Sequence, residues 1–358
     1  MSEKHIVVIP GDGIGEEITT AAIEVMKAAA EKCNIKFTFE KMYAGGAAID
    51  KYGVPLPDET VEACKKANGV LLGAVGGPKW DNVKPELRAE RAILGLRKAL
   101  GLYANLRPIK IFSALTSKSP LKEELVSDVD ILILRELTGG IYFGPKQEAH
   151  IVDGVEQATD LEIYTRPEIE RIVKMAFNIA KGRSNKVTSV DKSNVLATAR
   201  MWRRIADEIV VDYPEVTLEH MYADNCAMQL VLQPKQFDVI VTSNLFGDIL
   251  SDEAAVITGS IGLLPSASLG DGGIGLYEPI HGSAPDIKGR GIANPIGTIL
   301  SGALLFRHSL DCEMAASMIE EAVEDVLLDG YRTRDIYGQG MTRVSTEEMA
   351  SRIIDGLR

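Results

Sequence analysis

Short apolar runs alternate along this chain with longer stretches of helical spacing. That alternation restricts the fold more than any other feature. The run His5–Ile9 reads as a strand and Pro10-Gly11-Asp12-Gly13-Ile14-Gly15 as a glycine turn. The stretch to about Lys32 then has Ile18, Ala22, Val25, Met26 and Ala29 at helical spacing. Further apolar runs at Val70–Ala74, Ile131–Leu134, Val187–Val190 and Val239–Val241 read as strands. Helical patterns lie between several of them, at Arg88–Leu100, Pro167–Lys181 and Val195–Ile209. Met314, Met318, Ala322 and Val326 mark a later helix that stops at Gly330, and Ser345-Thr346-Glu347-Glu348 reads as the capping box of a last one. Strands separated by helices favour an α/β fold, a largely parallel sheet with helices on both faces.

At 358 residues the chain is long enough for two domains. No repeat, low-complexity tract or long linker separates them, so the two are expected to interleave and share a sheet or a tight interface. No apolar run approaches the roughly 18 residues of a membrane span. Asp and Glu number 51 against 39 Lys and Arg, a net charge of −12. Such a surface argues against nucleic acid and anionic lipid as partners. An anionic ligand would therefore need positive charge concentrated at its site. Cys33, Cys64, Cys226 and Cys312 lie far apart with no Cys-x-x-Cys pair, which gives neither a zinc site nor a disulfide framework. They are expected to be free thiols. The N-terminus reads straight into a strand without a signal peptide, so the expected location is the cytoplasm.

The glycine turn invites a dinucleotide reading, and the reading fails. Gly11-x-Gly13-x-x requires a glycine where Glu16 stands, and no ribose-binding acid follows about 20 residues on. The turn is either a tight strand-to-helix connection or part of a site wall. Asp248 and Asp252 are more specific. At i, i+4 on a helix they share one face and repel. A hard divalent ion, Mg²⁺ or Mn²⁺, would reverse that sign, and Asp224 could supply a third carboxylate. The competing reading is acids placed to favour a helix dipole. Arginines gather at Arg88, Arg91, Arg97 and Arg107, with Arg135 beyond. They suit bidentate binding of a di- or tricarboxylic acid, or else form a solvated helix face. Arg107 stands out because Leu106-Arg107-Pro108 is otherwise apolar. The densest glycine segment, Glu278–Pro295, lets backbone approach a ligand, and Asp286 within it could accept from ribose hydroxyls.

Taken together these motifs resemble the β-decarboxylating dehydrogenases of 2-hydroxy acids, the isocitrate/isopropylmalate dehydrogenase family. The resemblance runs over essentially the whole chain. Its most specific pieces are Tyr103–Pro108, Arg135–Gly144, Val190–Leu196 and the Asp248 and Asp286 segments. It implies two interleaved α/β domains sharing a sheet, not a Rossmann fold. Residues 1–102 with 259–358 would form the first domain and 103–258 the second. It implies a homodimer whose sites are completed across the interface, with Lys192 and Asp224 brought in by the partner subunit. Arg97, Arg107 and Arg135 then resemble the substrate-carboxylate clamp. Tyr142 and Lys192 resemble the acid–base pair, with metal and arginine expected to surround Lys192 with positive charge. Asp224, Asp248 and Asp252 resemble the metal ligands, Asp224 also reaching the substrate. His281, Asp286 and Asn294 resemble cofactor contacts, with Gly282, Ser283, Ala284, Pro285 and Gly77 beside them.

The implied reaction is oxidative decarboxylation of 3-isopropylmalate with NAD and Mg²⁺ or Mn²⁺, a step of leucine biosynthesis. Related malates such as isocitrate, homoisocitrate and tartrate are the alternatives. Glu90, Ile93 and Leu94 would face the substrate's side group. Two apolar residues suit a branched alkyl group, and Glu90 would repel a third carboxylate. Asp286 beside the ribose would repel a 2′-phosphate and so favour NAD over NADP, although Lys288 and Arg290 lie near.

Overall fold

The computed structural model describes residues 3–358. Its main strands, in chain order, are β1 (Lys4–Gly11), β2 (Phe37–Lys41), β3 (Gly69–Ala74), β4 (Ala104–Lys110), β5 (Asp130–Glu136), β6 (Lys146–Val152), β7 (Val155–Asp160), β8 (Lys186–Asp191), β9 (Thr217–Tyr222), β10 (Val239–Thr242), β11 (Pro265–Leu269) and β12 (Leu276–Pro279). The chain divides into two compact units. The first holds the described residues up to 102, with 110–123 and 255–358, and the second holds 103–109 and 124–254.

In the first unit the strand order is β2-β1-β3-β12-β11. β1 runs parallel to β2 and β3, β3 parallel to β12, and only β11 against β12 is antiparallel. β1 and β3 are apolar and almost wholly buried, as strands covered on both faces must be. The helix Ile296–His308 is buried from Ile296 through Phe306, because it is apolar on every side. The helix Gly15–Lys32 packs beside it and buries Ile18, Ala22, Val25, Met26 and Ala29, the residues at helical spacing. The last helix, Thr346–Gly356, opens on the expected capping box. Glu348 N–H donates to Ser345 Oγ at 3.1 Å, and Ser345 N–H donates to Glu348 Oε2 at 2.7 Å.

The glycine turn after β1 is fixed by Asp12. Its buried carboxylate accepts from the N–H groups of Gly46 (2.8 Å), Ala47 (2.7 Å) and Gly76 (2.8 Å). Two segments, the start of the helix Gly46–Tyr52 and the loop after β3, are thereby pinned to one side chain. Burial pushes the Asp12 pKa up, and the three N–H bonds oppose that shift.

In the second unit the order is β4-β5-β10-β8-β9, with parallel pairing from β5 to β9. The helices Arg166–Ala180 and Ala197–Val210 pack together and bury their apolar faces. β6 and β7 form a separate antiparallel hairpin, exposed along nearly all its length. The cysteines are free, three buried and Cys312 half-buried. Burial pushes the Cys64 and Cys226 thiols up to about 12, so both are inert at neutral pH. Among the described residues no helix is long and apolar enough to cross a membrane.

Candidate active site and cofactor cavity

The second unit gathers two guanidinium groups and two carboxylates. Arg107 lies on β4 and Arg135 on neighbouring β5; both are nearly buried. Asp248 and Asp252 project one turn apart from the helix Asn244–Val256. Arg107 Nη1 lies 3.0 Å from Asp252 Oδ1, and its Nη2 lies 3.8 Å from Asp248 Oδ1. Arg135 Nη1 donates to the same Asp248 oxygen. The set sums to zero charge. Arg107 and Arg135 are therefore not a solvated face, whereas Arg88 and Arg91 are exposed, and the aspartates are not dipole acids, since neither lies in the first turn.

Neutral partners fix how the arginines point. Arg107 Nε donates to Asn105 Oδ1 (2.8 Å), and its Nη1 also donates to Ser251 Oγ (2.5 Å). Arg135 Nε and Nη2 both donate to Asn244 Oδ1, at 3.1 and 2.8 Å. Asn244 in turn donates from Nδ2 to the Gly139 carbonyl at 3.3 Å. None of Asn105, Asn244 and Ser251 stood out in the sequence, because neutral residues carry no charge signature.

Tyr142 lies in the turn after β5, and its hydroxyl donates to Asp248 Oδ2 at 3.0 Å. Burial and the Asp248 charge hold the phenol above its ordinary pKa, so it is a proton donor at neutral pH. The Thr138-Gly139-Gly140 turn leads to it. Buried Glu136 accepts from the N–H groups of Thr138 and Gly139 at 2.8 and 2.7 Å. Gly140 has φ +79°, and a Cβ there would stand 2.6 Å from the Tyr164 hydroxyl oxygen. Only glycine fits.

Lys192, just past β8, makes a 2.6 Å ion pair with Asp224 at the start of the helix Ala223–Leu232. Its charged partner within the chain is thus a carboxylate. The Lys192 ammonium holds Asp224 below the usual carboxylate pKa. Asp224 does not join Asp248 and Asp252 within one chain. Among the described residues, no three of His, Cys, Asp and Glu come together so as to hold a metal.

The other predicted residues fall in the first unit. Arg97, on the helix Arg91–Ala99, is paired with Glu278 at 3.1 Å, both side chains about nine-tenths buried. Ile93 on the same helix packs partly against the core cluster around Val7, Ile9 and Leu72, while Leu94 is half-buried and Glu90 exposed.

A cavity of about 520 Å³ in this unit is lined by His281, Gly282, Ala284, Asp286 and Asn294, five of the predicted cofactor residues. Ser283 is placed differently. It is buried, its Oγ donates to the Gly76 carbonyl at 2.7 Å, and its own carbonyl accepts from Ile14 N–H at 2.8 Å. A Cβ at Gly77 would stand 3.9 Å from that Oγ, so Gly77 flanks Ser283. Pro285 opens the short 3-10 turn Pro285–Ile287. Ile14, near the end of the glycine turn, lines the cavity, so that turn is part of the cavity wall. Sequence reasoning missed Ser260, Ile261 and Asp335, which also line it. Asp335 Oδ2 accepts from Ser260 Oγ (2.5 Å) and Asn294 Nδ2 (3.0 Å).

His281 Nδ1 lies 2.9 Å from the Gly282 carbonyl, which can only accept, so Nδ1 carries the proton. Nε2 is left as a buried acceptor with no partner among the described residues. Burial lowers the His281 pKa and keeps the ring neutral.

The isocitrate/isopropylmalate dehydrogenase family model matches residues 5–353. A 3-isopropylmalate dehydrogenase of Clostridium pasteurianum is 56% identical over 358 residues, the whole of both chains. One from Bacillus subtilis is 52% identical over 98% of each chain. Of solved structures, an isocitrate dehydrogenase from Methylococcus capsulatus aligns with a TM-score of 0.88 at 37% identity, covering 99% of each chain. A beta-decarboxylating dehydrogenase from Thermococcus kodakarensis aligns at 0.81 with 39% identity, covering 99% of this chain and 96% of the other. The fold is the α/β fold of these proteins, in agreement with the failed Rossmann fingerprint. On sequence and on structure alike, over nearly its full length, the chain belongs to the isocitrate/isopropylmalate dehydrogenase family.

Proposed function

We propose that this chain oxidatively decarboxylates 3-isopropylmalate to 4-methyl-2-oxopentanoate with NAD, in leucine biosynthesis. The observation that carries the reading is the charge-balanced set of Arg107, Arg135, Asp248 and Asp252 beside Tyr142. Its geometry suits an exchange of partners. A dicarboxylate takes the guanidiniums and a divalent ion takes the aspartates, so the added charges, −2 and +2, again cancel. The relatives named as 3-isopropylmalate dehydrogenases support the choice of substrate.

Asp248 and Asp252 offer hard oxygen donors of the kind Mg²⁺ and Mn²⁺ prefer. Asp224, with Lys192, would join them across a homodimer. Large apolar side chains exposed on the two helices that carry these aspartates, Met228, Leu232, Ile249 and Val256, support such an interface. The unpartnered acceptor of His281 fits an adenine amino group, and Asp286 fits ribose hydroxyls.

Held by these residues, a divalent ion would supply the Lewis acidity that lowers the substrate hydroxyl pKa, and NAD would supply the hydride acceptor. The protein supplies the rest. Arg107 and Arg135 hold the carboxylates in bidentate pairs, joined in the proposal by Arg97. Lys192 removes the hydroxyl proton, directly or through a water. Loss of CO₂ from the β-keto acid leaves an enolate, and the Tyr142 hydroxyl returns a proton to its carbon. Glu90, Ile93 and Leu94 would meet the side group. Burying an isopropyl group there contributes about 1.5–3 kcal/mol.

Arg107→Gln should raise KM for 3-isopropylmalate about ten- to a hundredfold, the loss of a charged hydrogen-bonding partner, and leave KM for NAD in place. Steady-state kinetics with each substrate varied would show it. An unchanged KM for the hydroxy acid would overturn the clamp.

Asp286 also sets an expectation for the nucleotide. Lys288 lines a different groove from the proposed cofactor cavity, so Arg290 and Arg334 are the arginines that share the cavity with Asp286. Because Asp286 is exposed, solvent screens most of its repulsion of a 2′-phosphate. Asp286→Lys should shift the NAD/NADP preference in kcat/KM toward NADP by about tenfold, roughly 1.4 kcal/mol. An unchanged ratio would remove Asp286 from the ribose site.

A further inference from the structure

The segment from Asp286 to Asn294 is a thin wall between two cavities of the first unit. Asp286, Ile287, Arg290 and Asn294 line the cavity beside His281. Lys288, Gly289 and Gly291 line a groove of about 730 Å³ on the other side, together with Glu17 and Thr346. Packing does not brace the wall where it turns. A Cβ built on Gly289 or Gly291 would meet nothing within 4 Å, and both residues have positive φ, +71° and +62°. Such residues lose the most freedom on ordering. A loop of this kind keeps one shape only if its backbone polar groups are held.

Two residues outside the loop, Thr346 and Glu17, hold them. Thr346 N–H donates to the Gly291 carbonyl at 3.0 Å, and its Oγ1 donates to the Ala293 carbonyl at 2.6 Å. Glu17, in the first turn of the helix Gly15–Lys32, does more. Its Oε1 accepts from Gly289 N–H and its Oε2 from Gly291 N–H, each at 3.1 Å. One carboxylate thus grips the two amides that flank Arg290. Ile14, three residues earlier, lines the cofactor cavity directly.

We propose that Glu17 is a positioning residue for the nucleotide: from behind the wall, its carboxylate sets the loop shape that presents Asp286 and Arg290 to the cofactor. This rests on the assignment of the His281 cavity to NAD and extends it to a residue that does not line that cavity. Without Glu17 the loop samples other shapes, and apparent affinity falls by the fraction of time the competent one is lost. The groups proposed to do the chemistry are untouched.

The test compares Glu17→Ala and Glu17→Gln with wild type, using Glu16→Gln as a control, since Glu16 instead pairs with exposed Lys41 at 2.6 Å. NADH binding is read by fluorescence titration and turnover by steady-state kinetics. Glu17→Ala should raise the Kd for NADH and the KM for NAD about tenfold, leaving kcat and the hydroxy-acid KM within about twofold. Glu17→Gln, which accepts at one amide and presents N–H to the other, should fall between. Trypsin should cut faster after Lys288 or Arg290 in both variants, and NADH should slow it. A folded Glu17→Gln protein with wild-type NADH affinity would overturn the proposal, and so would a fall in kcat with both KM values rising together. Failure of wild type itself to bind NADH would sink the cofactor assignment, and this inference with it. If Glu17→Ala does not fold, the glutamine variant decides alone.

Discussion

Lys192→Ala should lower kcat by about three orders of magnitude and leave KM for 3-isopropylmalate within a few-fold of wild type. The split follows from the role proposed. An amine that takes a proton only as the carbinol is oxidised stabilises the transition state and contributes little to ground-state binding. Clamping of the carboxylates is assigned to the arginines, which the substitution leaves in place. Asp224 makes the result more informative. In the chain it pairs with Lys192 at 2.6 Å, so removing the lysine frees a proposed metal ligand. Metal affinity should hold or rise while turnover collapses. A small primary amine added in solution should restore part of the rate. A kcat near wild type would remove Lys192 from the acid–base role.

Stripping divalent ions with EDTA should abolish turnover, and Mg²⁺ or Mn²⁺ should restore it. Asp252→Asn should make the loss about a thousandfold and insensitive to moderate added metal, because the ion stabilises charge that no side chain of the set can. Asp252 suits the experiment. Its side chain is 70% exposed, and the asparagine keeps an oxygen that can still accept from buried Arg107. A calorimetric Mn²⁺ titration gives a second readout, with weaker binding expected in the variant whatever the activity. Asp248→Asn is less clean, since Asp248 also carries Arg135 and Tyr142. Full activity in EDTA, or Asp252→Asn with wild-type Mn²⁺ affinity, would contradict the assignment of these aspartates.

Where burial and periodicity agreed, the fold was legible. β1, β3, β5, β8 and β10 fall on the apolar runs. Both capping-box residues of the last helix could be named, because a cap is a local device whose partners lie three residues apart. Elements outside an apolar core were not legible. The β6–β7 hairpin is polar and exposed, so nothing in its pattern separates it from a loop. The antiparallel pairing of β11 with β12 depends on partners, not on periodicity. The helix expected from Arg88 begins at Arg91, because Arg88 has extended backbone at ψ 142°.

The same division holds at the site. Charged residues signal themselves, and Arg107, Arg135, Asp248 and Asp252 do meet in space. The residues that aim them, Asn105, Asn244 and Ser251, have ordinary surface chemistry until folding buries them. Asp335 lies 41 residues from Asn294, and no local pattern could announce their contact. The family resemblance groups Arg97 with Arg107 and Arg135. In the chain it has a buried partner of its own, Glu278, which substrate would have to displace or share.

The most direct test of the account is NADH or NADPH formation by the purified protein with Mg²⁺. 3-Isopropylmalate and isocitrate are run in parallel, each with NAD and with NADP. The account predicts strong turnover only for 3-isopropylmalate with NAD, abolished by EDTA. Preferential turnover of isocitrate would contradict the reading of Glu90, Ile93 and Leu94 as an apolar pocket that excludes a third carboxylate. No turnover of either substrate by folded protein would contradict the proposed function itself.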